Sequence, residues 1–184
     1  MGAYLDFFGF NRAPDLATLN NIPWLTDWRL FHEPAASAWY LEGQSNESVP
    51  TFFEEVKWNP PPLPEALNTL FDQIKADIKR YKGDATQFDT HALHLAALLS
   101  KTLAQPIASF LGNDEGLDSC FVFDQGQLQS GGLEIAWDKE LIVSADGTRQ
   151  LRRIYAEGTS ENDPGFTPRY EHHIATEGAR AFFG

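Results

Sequence analysis

The chain has 184 residues, 42% of them hydrophobic and 13% aromatic, with 26 Asp or Glu against 14 Lys or Arg. A chain of this length and apolar content removes roughly 70% of its unfolded surface from water, so it can build a core without disulfides or structural metal, and disorder is excluded. The net charge of -12 argues against nucleic acid and anionic lipid as partners, because both are held mainly through Lys and Arg.

No apolar run approaches the ~20 residues of a membrane helix, and the opening MGAYLDFFGF lacks the basic and small-residue segments of a secretory signal. A lone cysteine, Cys120, fits a reducing compartment. The expectation is one cytoplasmic globular domain spanning residues 1–184. Its acids are unevenly spread. Between Arg29 and Lys57 there are five acids and no Lys or Arg, and between Lys101 and Lys139 stand Asp114, Glu115, Asp118, Asp124, Glu134 and Asp138, again without a basic residue. Such stretches serve solubility, or they form a negative surface that steers a basic protein partner.

The first 58 residues hold 12 of the 24 aromatics. Extended segments are predicted at 4–10, 28–32 and 38–42, separated by Pro14, Pro23 and Pro34, with a short helix over 15–20. Core packing accounts for the aromatics most simply, and a groove for a planar or sugar ligand is the other reading. After a proline-rich run, Pro64 suits the first position of a helix. Leu67, Leu70, Phe71, Ile74, Ile78 and Tyr81 then form an apolar stripe, Gly83 a left-handed cap, and Lys79, Arg80 and Lys82 complement the negative helix end. Asp89 caps a second helix, with Phe88 and Leu93 placed to pack across the cap. Residues 92–99 are apolar on nearly every face, so this helix must be buried.

From Ile107 the pattern changes to that of an antiparallel meander. Strands are predicted at 107–111, 119–123, 128–137, 141–143 and 151–155, with turns at 113–116, at Gly126 and at Asp146-Gly147, and a possible bulge at Gly131-Gly132. Residues 119–123 read as covered on both faces. Thr167-Pro168 opens a final helix carrying Tyr170, Ile174, Gly178, Ala181 and Phe182. The fold class is therefore α+β: an antiparallel sheet of five or more strands packed with two central helices and a C-terminal helix.

Nucleotide-binding patterns and the G-x-S-x-G elbow are absent. His91 and His94 stand three apart on the second helix, a spacing that can aim both imidazoles at one metal. The pattern is not H-E-x-x-H, however, and His172 and His173 point roughly 100° apart on the last helix. Cys120 alternates with Val122 in a strand and reads as a buried, inert thiol. The loop acids Asp114, Glu115 and Asp118 lack the calcium-loop register. No catalytic residue, metal ligand or cofactor is assigned.

A leucine-rich helix, a short strand, the Asn113-Asp114 turn and then Asp118-Ser119-Cys120-Phe121-Val122-Phe123-Asp124-Gln125-Gly126-Gln127-Leu128 follow one another in order. Over residues 89–137 this resembles small immunity proteins of bacterial polymorphic-toxin systems. The resemblance implies a non-enzymatic cytoplasmic inhibitor that occupies a toxin's active site or its substrate approach, and it carries over no family residue. The partner-binding candidates rest instead on the 37-residue span without a basic side chain: Asp114, Glu115, Asp118 and Asp124. The rival reading is a small enzyme or ligand binder using the aromatic N-terminal third with His91, His94 or His172. Oligomeric state stays open.

Overall fold

The structure, a computed structural model, describes residues 5–10, 12–22, 28–33, 38–43, 64–83, 88, 90–113, 116–136 and 139–153. Among these residues its centre is an antiparallel sheet of eight strands: β1 (Leu5–Phe10), β2 (Trp28–Glu33), β3 (Ala38–Gly43), β4 (Ile107–Asn113), β5 (Gly116–Asp124), β6 (Gln127–Ala136), β7 (Lys139–Ser144) and β8 (Arg149–Arg153). The order is β2-β3-β1-β4-β5-β6-β7-β8, so the second half of the chain forms a five-strand meander and β1 extends it on the far side of β4. The α+β architecture is thus as the sequence reads. The predicted final helix from Thr167 lies outside the described residues. Among the described residues no helix is long and apolar enough to cross a membrane.

Among the described residues three helices accompany the sheet: α1 (Leu16–Asn20), α2 (Glu65–Lys82) and α3 (Thr90–Thr102). α2 buries Leu67, Leu70, Phe71, Ile74 and Ile78. Pro64, read as the first helical residue, is instead the cap, with extended backbone at φ -54°, ψ 133°, and its carbonyl accepts from the Leu67 amide at 2.9 Å. Tyr81 also departs from expectation. It continues the apolar spacing but is 41% exposed, with the Arg80 guanidinium 5.3 Å from its ring centre. It sits in the last turn, two residues before the left-handed Gly83 cap at φ 82°.

Aromatic rings lock helices to sheet. Phe71 of α2 meets Phe123 of β5 edge-on at 6.3 Å, and Phe88 meets Phe121 at 6.0 Å. The α3 residues from Ala92 to Ser100, His94 excepted, are buried, as an all-round apolar helix requires. Ser100 is the polar exception within that run: its Oγ donates to the Ala97 carbonyl at 2.8 Å and accepts from the Gly126 amide at 2.9 Å, which ties α3 to the β5–β6 turn. A Ser100→Ala variant leaves the Gly126 amide without this acceptor and is expected to lose about 2 kcal/mol of stability in urea denaturation.

The β5–β6 connection is the two-residue turn Gln125-Gly126, with φ of 50° and 78°, the primed geometry that suits the twist of a hairpin. In the β7–β8 connection the Asp146 carboxylate accepts from the Thr148 amide at 2.9 Å and Gly147 takes φ 83°. Asp15 caps α1 by accepting from the Thr18 hydroxyl and from the amides of Ala17 and Thr18. These bonds favour the charged carboxylate. The Thr18 hydroxyl, chiefly, holds Asp15 below its ordinary value of 3.8, and the Thr148 amide does so for Asp146. A depressed folded-state value adds stability above the ordinary carboxylate pKa and loses it as pH falls through the depressed one. An Asp15→Ala, Asp146→Ala double variant is therefore expected to be less stable than the parent at pH 7, and the gap should narrow by pH about 2, read from denaturation midpoints at both pH values.

One expectation about β6 fails in an instructive way. The bulge falls not at Gly131-Gly132, whose pairing with Phe121 and Cys120 is regular, but at Gln129, between the pairs Val122–Ser130 and Phe123–Leu128. Leu128 and Leu133 are an odd number of residues apart, so an unbroken strand sends them to opposite faces. The extra residue corrects the parity, and both join the main core with Ile135. That core lies between the helices and one sheet face. On the other face Ala108, Phe110, Cys120 and Val122 form a second buried cluster, so β5 is covered on both sides as its composition suggests.

Candidate protein-binding surface

Antiparallel topology sorts the acids of the basic-free span by sheet end. The β4–β5 and β6–β7 connections come to one end, and the Gln125-Gly126 and Gly147 turns to the other. Asp118 is the third residue of β5, next to the first end. Asp124 closes the same strand opposite Gln127, six residues and about 20 Å further along. Asp114 and Glu115 lie outside the described residues, in the connection between the paired Asn113 and Gly116. Asp118 and Asp124 therefore lie toward opposite ends of β5.

Asp118 occupies a particular backbone position. Leu111 pairs with Ser119 and Gly112 with Leu117, so Asp118 is passed over and forms a β-bulge. A bulge bends its strand, raises the local twist and re-aims the extra residue, and such irregularities concentrate where strands end near binding sites. No periodicity in the sequence marks it, because the bulge is defined only against the partner strand.

The helices add charge to the same end. Leu70, early in α2, lies beside the Gly147 turn, while Lys101, late in α3, lies beside Gly126. Both turns are at the far end, so the two helices run in opposite directions, and the C-terminal turn of α2 with Lys79, Arg80 and Lys82 comes to the end that carries Asp118. Across the β7–β8 hairpin, Arg149 is tied to α2 by bonds to Asp77 at 2.5 Å and Gln73 at 2.6 Å.

Glu134 belongs to the same basic-free span. It is only 8% exposed, faces Glu140 across β6 and β7, and Glu140, itself fully buried, accepts from Arg152 of β8 at 2.8 Å. The three sit on the sheet face away from the helices, since their strand neighbours Leu133, Leu141 and Leu151 point to the main core. Sequence reasoning missed this row: a charge alternating with aliphatic residues in a strand normally marks a solvent face.

The enzymatic reading invokes His91, His94 and His172. His94 is half-buried, with its ring 5.0 Å from that of Phe71 at a tilt of 40°, in the packing between α3 and α2. His91 lies one turn earlier on α3, and His172 is outside the described residues. Among the described residues no group of three or more His, Cys, Asp or Glu is placed to hold a metal ion. Burial pushes the Cys120 thiol well above its ordinary value, which keeps it protonated and unreactive. Comparison of the chain with protein-family models, curated proteins and solved structures finds no match to any of them.

Proposed function

We propose that the chain is a non-enzymatic protein-binding protein, an immunity protein that neutralises a bacterial toxin in the cytoplasm by docking the end of its sheet onto a basic surface. The observation that carries this reading is the bulge at Asp118, beside the connection holding Asp114 and Glu115, within a span that has no Lys or Arg from 102 to 138. The acids of this span raise the encounter rate with a basic partner and select its orientation, while Lys79, Arg80 and Lys82 at the same end set positive charge beside them. Asp124, the fourth acid of the proposed contact, stands about 20 Å further along β5.

The test is binding to the product of the adjoining reading frame, if that frame encodes a basic toxin-like protein, measured at two salt concentrations. An Asp114→Lys, Asp118→Lys variant should bind about tenfold more weakly, with a shallower loss of affinity on adding salt. Unchanged affinity and salt response would remove these residues from the interface. Turnover of a small compound by the purified chain, abolished by His94→Ala in a protein that still folds, overturns the non-enzymatic reading itself.

A further inference from the structure

We draw no further inference here: the strongest candidate, the pair of buried glutamates Glu134 and Glu140 with the partly exposed Arg152 on the sheet face away from the helices, is a charged cluster with no second observation pointing to a ligand, and nothing among the described residues shows what covers it.

Discussion

A Gly131→Ala substitution is expected to lower the stability of the fold by about 3 kcal/mol, at the upper end of the usual cost of overpacking. Gly131 lies directly opposite Phe121 on the neighbouring strand, and a Cβ built there falls well inside the van der Waals radius of the Phe121 ring. The ring thus rests on the bare glycine backbone, an arrangement that pairs an aromatic with a strand glycine and compensates its missing side chain. Phe121 cannot move aside cheaply: it is fully buried and packs edge-on against Phe88. Backbone entropy works the other way, since alanine restricts the unfolded chain, but that gain is only about 0.4–1 kcal/mol. The readout is the urea midpoint at constant slope. Adding Phe121→Leu should cost less in the Gly131→Ala background than in the parent, because the smaller side chain relieves the clash while it opens space. Additive losses would mean that the ring does not lie over the glycine.

Replacing Arg152 with Met is expected to cost about 3 kcal/mol, because it removes the guanidinium from a carboxylate that stays fully buried and has a second glutamate opposite it. The loss should be smaller in an Arg152→Met, Glu140→Leu double variant, where both charges leave together and apolar side chains fill the space. That non-additivity separates the energetic penalty of taking the guanidinium from a buried carboxylate from the modest net contribution of the pair itself. Equal losses in the single and double variants would show that packing around the arginine stem, rather than charge, carries the effect. Because Arg152 is about one-third exposed at its side chain, Arg152→Lys should retain part of the stability while losing the planar geometry of the guanidinium.

Much of the fold is legible from local chemistry. The stripe from Leu67 to Ile78, the left-handed Gly83, and the turns at Gly126 and Gly147 each depend on residues close in the chain, where side-chain spacing and glycine's access to positive φ act directly. The apolar body of α3 likewise announces its burial without reference to what buries it. Tyr81 marks the limit of that logic. Its spacing is that of a core residue, yet burial needs a neighbour to cover the last turn of the helix. The candidate site was legible only as composition. A run of acids without a basic residue is visible in the sequence, but whether Asp118 and Asp124 share a surface depends on the length and direction of the strand between them.

The amino-acid order alone therefore determined the element types, the hairpin turns, the acidity and the lack of familiar catalytic patterns, since each arises from interactions a few residues apart or from simple counts. Tertiary structure alone decided that β1 joins the meander beside β4, that bulges fall at Gln129 and Asp118, and that Glu134 and Glu140 are buried side by side. These features depend on register between strands and on what covers a sheet face. Register is a relation between segments as far apart as β1 and β4, and a one-residue shift exchanges core for surface along a whole strand without altering any local preference.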